Sequence, residues 1–170
     1  MDYLWAPWRA QYIRESSGHA PTADDDACFI CRAINSDPAE DRANLLVWRR
    51  PNSIVMLNRF PYNNGHLLVA PTVHEGTLEG LTGAALLEPI ETVREVARII
   101  DRMMRPQGYN VGLNLGRSAG AGLPGHLHWH VVPRWDGDTN FMPVLGGTKV
   151  IVESLDEFYD RFTAEVADHA

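Results

Sequence analysis

Residues 126–133 constrain the fold more than any other part of this sequence, because three histidines alternate there with apolar residues. The segment reads His-Leu-His-Trp-His-Val-Val-Pro. Successive side chains of a β-strand point to opposite faces, so the alternation predicts a strand with His126, His128 and His130 on one side and the apolar residues on the other. Imidazole has the ordinary pKa nearest neutrality, and three in a row can supply a nucleophile, a proton relay and an orienting donor.

The sequence around this strand predicts an α+β fold. Residues 45–48, 53–57 and 66–70 are β-prone runs separated by turn residues, and residues 109–115 predict another strand. Between residues 81 and 105, apolar residues recur every three or four positions, among them Ile90, Val93 and Ile100. This spacing predicts a long helix that Pro89 either kinks or begins. A second helix is predicted at 154–167. About five antiparallel strands in a meander, covered by a long helix and a C-terminal helix, form an α+β layer arrangement.

Length and charge limit the function classes. The chain has 170 residues, with 15 Lys and Arg against 22 Asp and Glu, and a net charge of −7. We expect one domain, with an N-terminal arm and loop (1–27), a core (28–134) and a C-terminal extension and helix (135–170). An acidic chain is a poor ligand for nucleic acid, and no apolar run is long enough to span a membrane. Without a secretory signal pattern, a cytoplasmic protein is expected.

Two further motifs bear on chemistry. Residues 116–125 contain four glycines directly before the histidines, and such a loop lets backbone N–H groups converge on an anionic oxygen. Cys28 and Cys31 are two residues apart, a spacing that in a reducing compartment favours metal ligation or redox chemistry. A zinc ion would need two more ligands, and a pair of partly buried free thiols is the alternative.

These residues together resemble the histidine-triad superfamily of nucleotide hydrolases and transferases. The histidine segment is similar to that family's pattern, and residues 58–71, 112–116, 119–120 and 133–134 are similar to its other blocks in the same order. Residues 4–9, 135–141 and 146–150 resemble the bacterial branch related to diadenosine tetraphosphate phosphorylases. The resemblance implies a histidine-triad fold and a homodimer. It also implies a small-molecule nucleotide substrate, with neither nucleic acid nor a membrane as partner.

The resemblance also implies a role for each site residue. His128 would attack the α-phosphorus and form a nucleotidyl-histidine intermediate, His130 would donate to a phosphate oxygen or the leaving group, and His126 would hold the row in place. The remaining implied substrate contacts are Asn58 at the ribose, Asn114 with the loop amides of Gly120, Ala121 and Gly122, and Arg134 and Lys149 at the polyphosphate. The family's Gln or Ser before the histidines is absent here, because residues 121–124 read Ala-Gly-Leu-Pro. Leaving-group assistance would then fall to His130, the backbone or a metal.

Two metal ions follow from the same resemblance. Some family members hold a structural zinc with a cysteine pair and two histidines, which here would be Cys28, Cys31, His66 and His126. A divalent ion could accompany the polyphosphate.

The favoured hypothesis is a dinucleoside polyphosphate phosphorylase or hydrolase, acting on diadenosine tetraphosphate with either phosphate or water as acceptor. One alternative is a nucleoside phosphoramidase. The other is a non-catalytic nucleotide-binding module, against which the intact His128 weighs.

Overall fold

A computed structural model of the chain describes residues 28–169, so the N-terminal arm and the segment 4–9 lie outside the described residues. These residues form one five-stranded antiparallel sheet, as predicted. Its strands are β1 (Leu46–Arg49), β2 (Ser53–Leu57), β3 (Leu67–Pro71), β4 (Gly108–Leu113) and β5 (Trp129–Arg134). The spatial order is β1-β2-β3-β5-β4. The first three strands meander, whereas β5 lies between β3 and β4.

Four α-helices accompany the sheet in the described part of the chain. They are α1 (Phe29–Asn35), α2 (Gly83–Met104), α3 (Met142–Gly146) and α4 (Leu155–His169). The sequence predicted α2 and α4 but neither of the short helices α1 and α3. Pro89 lies inside α2, which continues through it for 22 residues. No helix of residues 28–169 has the length and apolar composition needed to cross a membrane.

One face of the sheet packs against α2 and α4. Val55, Val69 and Val131 meet Ile100 of α2 and Phe162 of α4, and all five are fully buried. Leu127 and Trp129 belong to the same cluster, which confirms the apolar side of the predicted alternation. Burial of this face is the main source of stability, because each large apolar side chain removed from water contributes about 1.5–3 kcal/mol.

The opposite face of the sheet is covered over only part of its width. Ile30 and Ala33 of α1 pack on Ile54, Met56 and Leu68, so β1, β2 and β3 are covered there. Over β4 and β5 the same face carries an open groove beside His130. Helix α1 therefore brings Cys31, and its N-cap residue Cys28, to one margin of the surface that bears the histidines.

The histidine strand is shorter than predicted, because β5 begins at Trp129 and not at His126. The register pairs Val69 with Trp129, and its continuation would place Pro71 opposite Leu127. Proline has no N–H for the ladder. The Leu127 N–H donates instead to the carbonyl of Glu75, 2.7 Å away. The segment that carries His126 and His128 is thus extended but leaves the sheet.

Candidate functional site

The side chain of His128 is buried and held in one tautomer. Its Nδ1 lies 2.8 Å from the backbone carbonyl of His126, and a carbonyl only accepts, so Nδ1 carries the proton. Burial lowers the pKa of His128, and the backbone bond opposes this only in part. The imidazole is therefore neutral near pH 7, with an unprotonated Nε2. A neutral imidazole aimed in this way is a competent nucleophile.

His130 belongs to a chain of hydrogen bonds that includes His66. The Nε2 of His66 lies 3.0 Å from Nδ1 of His130, and the backbone N–H of Tyr62 donates to Nδ1 of His66 over 3.0 Å. Burial, reinforced by the neighbouring imidazoles, lowers the pKa of His66 to about 3. Burial and His128 lower that of His130 to about 4. Both rings are therefore neutral near pH 7.

The Tyr62 amide fixes the direction of this chain. An N–H can only donate, so Nδ1 of His66 is unprotonated and its single proton lies on Nε2, from where it donates to Nδ1 of His130. Neutral His130 then carries its proton on Nε2, the nitrogen 3.3 Å from the Asn114 amide. The atom of Asn114 nearest this nitrogen is Nδ2, and because two donors cannot satisfy each other, we infer that the amide group is turned so that Oδ1 faces His130. His130 thus presents an N–H at the groove, beside the nucleophile. The centroids of the His130 and His128 rings are 5.1 Å apart.

Some of the predicted substrate-contact residues form hydrogen bonds within the protein, and others do not. The amides of Gly120 and Ala121 donate to carbonyls within their own loop, whereas the Gly122 N–H has no partner among the residues the structure describes. Asn58 accepts from the Phe60 N–H through Oδ1 at 2.9 Å, and its Nδ2 lies 3.3 Å from His66. Asn58 therefore braces the histidine chain and caps a turn.

Arg134 and Lys149, the two cations predicted to meet polyphosphate, have different surroundings. The Arg134 guanidinium donates to both carboxylate oxygens of Asp138 and to Oδ1 of Asn110. Lys149 donates to the carbonyl of Tyr62 and has no ion pair within residues 28–169. Its charge helps to lower the pKa of His66, which places the ammonium group near the histidine chain. Lys149 is thus the less neutralised of the two cations.

A second cluster lies behind His128, where Cys28, Cys31, His74 and His126 bring four ligand atoms within 4.8 Å of one another. Nδ1 of His126 is 3.4 Å from each sulfur, and Nδ1 of His74 is 3.0 Å from that of Cys31. Tetrahedral zinc with Zn–S and Zn–N bonds of ordinary length separates its ligand atoms by about 3.5 Å. Nε2 of His126 donates to the Pro71 carbonyl at 2.9 Å, so Nδ1, which faces the two sulfurs, carries the lone pair that a metal would bind. These residues fit zinc.

The predicted metal set contained His66 where the structure has His74. His66 lies instead in the chain with His130, and its two ring nitrogens are occupied by His130 and by the Tyr62 amide. His126, predicted for both the row and the metal, faces the cysteines, so the three histidines serve two sites. No spacing in the sequence pointed to His74. The hydrogen bond between Leu127 and Glu75 draws it to the cysteines.

Comparisons with known proteins agree with this geometry. The family model described as "HIT domain" matches residues 40–137. A Mycobacterium tuberculosis protein named AP-4-A phosphorylase is 41% identical over 155 residues, which cover 89% of this chain and 77% of that protein. The asymmetrical bis(5'-nucleosyl)-tetraphosphatase of Schizosaccharomyces pombe is 32% identical over 54% of this chain and 50% of its own length. A zinc-bound histidine triad family protein from Mycobacterium smegmatis has a TM-score of 0.66 at 23% identity, covering 85% of this chain and 96% of that one.

The fold and the site define a class of proteins in which a five-stranded antiparallel sheet presents a buried, oriented imidazole beside a second one. The family model and the curated relatives make the assignment definite. The chain belongs to the HIT domain family.

Proposed function

We propose that this protein is an enzyme that cleaves dinucleoside polyphosphates, most readily diadenosine tetraphosphate, through a nucleotidyl intermediate on His128. The observation that carries the proposal is the His128 imidazole, held neutral with Nδ1 on a backbone carbonyl and Nε2 unprotonated. The 41% identity to a protein named AP-4-A phosphorylase supports this substrate.

The reaction divides into two displacements. The lone pair on Nε2 of His128 forms a P–N bond with the α-phosphorus, and the P–O bond to the leaving nucleoside triphosphate breaks. The Nε2–H of His130, which faces the Asn114 amide in the free protein, turns to the departing oxygen when substrate is bound and takes the place of the absent Gln or Ser. An acceptor oxygen then attacks the phosphorus and frees His128. Phosphate as acceptor gives ADP and ATP, and water gives AMP and ATP.

We further propose how the loop and the cations contribute. The free N–H of Gly122, with Gly120 and Ala121 shaping the loop, would face the nonbridging oxygens as negative charge develops there. Asn114 holds His130, and Asn58 contacts the ribose from the turn that it caps. Lys149 would meet the polyphosphate, whereas Arg134 is held by Asp138. Zinc at Cys28, Cys31, His74 and His126 would fix the segment before β5 and hence the carbonyl that orients His128. The chain would act as a homodimer.

The decisive experiment looks for the covalent intermediate. Enzyme mixed with diadenosine tetraphosphate without phosphate is quenched in base, which preserves phosphoramidates, and analysed by peptide mass spectrometry. We expect an AMP adduct on His128 and complete loss of turnover in His128→Ala. Parallel assays with phosphate, and with an adenosine phosphoramidate, distinguish phosphorylase, hydrolase and phosphoramidase. A His128→Ala protein that binds AMP, beside a wild type that turns over none of these substrates, would establish a binding module instead.

A further inference from the structure

An open groove of about 240 Å³ lies beside the proposed nucleophile, and of its lining residues only His130 and Asn114 have a role in the displacement itself. It is bordered by β4, by His130 and Val132 of β5, and by the ring of Tyr62, which stacks on His130 with centroids 5.7 Å apart and 52% of its surface exposed. Sites for whole drug-sized ligands measure roughly 300–1,000 Å³. This groove therefore suits one part of a larger ligand.

Within residues 28–169, no cationic side chain lines the groove. The Arg134 guanidinium, which donates to the groove residue Asn110, is neutralised by both oxygens of Asp138. A polyphosphate needs positive charge or several converging amides, so the groove does not suit phosphate. An exposed aromatic ring, apolar Val132 and the amide side chains of Asn110 and Asn114 form instead the neutral surroundings that a nucleobase requires.

Asn110 has a defined orientation at the rim. The Arg134 guanidinium donates to its Oδ1 at 2.7 Å, which leaves the amide nitrogen without a partner among the residues the structure describes. The nitrogen can donate, and Oδ1 keeps a second lone pair that can accept. Adenine offers the matching pair, an N7 acceptor beside an N6–H donor, and asparagine reads that edge with two hydrogen bonds. Arg134 is thus a positioning residue for Asn110.

We propose that this groove binds the adenine of the leaving nucleotide, stacked on Tyr62 and read by Asn110. The inference rests on the proposed function and deepens it, because it assigns a site to the nucleoside that does not become attached to His128. Binding energy from a remote part of the substrate can lower the barrier at the reacting phosphorus. The enzyme should therefore prefer a substrate with two nucleosides over one whose leaving group is bare polyphosphate.

The test compares diadenosine tetraphosphate with adenosine 5'-tetraphosphate, which loses tripolyphosphate from the same α-phosphorus. Two variants alter the groove. Asn110→Ala removes the base contact, and Gly112→Ala adds a methyl group on the His130 side of β4, since Gly112 pairs with His130. The matched control is Gly108→Ala on the same strand and face, outside the groove. A Cβ at either glycine meets no atom within 4 Å, so both alanine variants should fold normally.

The measured quantity is the ratio of kcat/KM for the dinucleotide to kcat/KM for the mononucleotide. We expect Asn110→Ala to lower it about tenfold, the effect of one or two lost hydrogen bonds, and Gly112→Ala to lower it too, while Gly108→Ala matches wild type. Equal ratios in wild type, Asn110→Ala and Gly112→Ala would overturn the groove assignment and leave the proposed function standing. A wild-type enzyme that cleaves neither substrate would overturn both.

Discussion

His66 and His130 connect the chemistry of the site to the stability of the protein. Their pKa values are lowered to about 3 and about 4, mainly because both rings are buried, whereas an unfolded chain titrates near 6.5. Below pH 6.5 the unfolded chain therefore binds protons that the folded protein does not. The free energy of unfolding is highest above that pH and falls as the pH drops toward 4, by up to about 1.4 kcal/mol per pH unit for each histidine.

This pH dependence can be measured by urea denaturation at pH 7.5, 6 and 5. His66→Gln removes one of the two groups, so we expect its stability to change less steeply with pH than that of wild type. If the free energy of unfolding changes equally with pH in the two proteins, His66 does not titrate in this way.

The identity of the fourth metal ligand gives a second prediction at the residue scale. His74 lies with the cysteines and His66 does not. We expect His74→Ala to weaken zinc binding at least about a hundredfold, the upper end of what loss of an outer-shell partner costs. The matched variant His66→Ala should keep one zinc per chain. Metal content after dialysis against a chelator series checks this, and loss of zinc from His66→Ala alone would contradict it.

At this scale the sequence predicted an extended histidine segment but not how its side chains divide between two clusters. The alternation of histidines with apolar residues was enough to predict that His128 and His130 lie opposite the core face. It could not show that His126 turns to the cysteines. That depends on where the pairing between β3 and β5 ends, and this pairing joins segments that are far apart in the sequence. The same holds for His74, whose place depends on the loop after β3.

Helix α1 depends on a neighbouring strand for its stability. Seven residues are too few for a helix to persist alone in water. Arg49 of β1 donates to the carbonyls of Ala33 and Ile34 at 2.9 and 2.8 Å while its charge pairs with Asp41. The Ala33 carbonyl also accepts from the Ser36 hydroxyl at 2.9 Å, so the bond to Ile34 is the one that satisfies an otherwise open carbonyl at the helix end.

We expect Arg49→Ala to lower the free energy of unfolding by about 2 kcal/mol, because it removes the donor to the Ile34 carbonyl and the partner of the Asp41 carboxylate, and to weaken zinc binding through α1. Arg42→Ala, which removes an exposed pair with Asp160, is the matched control and should change stability little. Urea denaturation of the metal-free and zinc-loaded proteins measures both effects. Equal destabilisation by the two variants would argue against this role of Arg49 in holding α1.

The elements show where periodicity succeeds and where it fails. It predicted α2 and α4, yet it placed Ile90 on the buried face, and Ile90 is 51% exposed. Thr92 is buried there and bonds to Ser53, while Glu88 accepts from Asn52 and Ser53. These polar contacts determine which side of the helix faces the sheet. A pattern of apolar residues contains no information about them. Helices α1 and α3 span seven and five residues, too few to show a period.

The whole molecule is shaped by a crossover that local patterns do not encode. Helix α2 carries the chain from β3 to β4, and β5 then inserts between them, so β4 becomes an edge. The β-prone runs predicted the number of strands, and the spacing of the apolar residues predicted the long helix. The strand order depends on pairing between distant segments, which the sequence of each strand leaves open.

The exposed edge of β4 leads to the last prediction. Unpaired edge strands associate readily, and Val111 at this edge is 50% exposed. We expect a homodimer at micromolar concentration in which the two copies meet along β4. In an interface with two-fold symmetry, Val111→Asp places a carboxylate on both copies, so it should give a monomer by sedimentation velocity. Val152→Asp, at a site 83% exposed in the C-terminal extension, should leave the dimer intact. A monomeric wild type, or a Val111→Asp protein that stays dimeric, would rule out this edge as the interface.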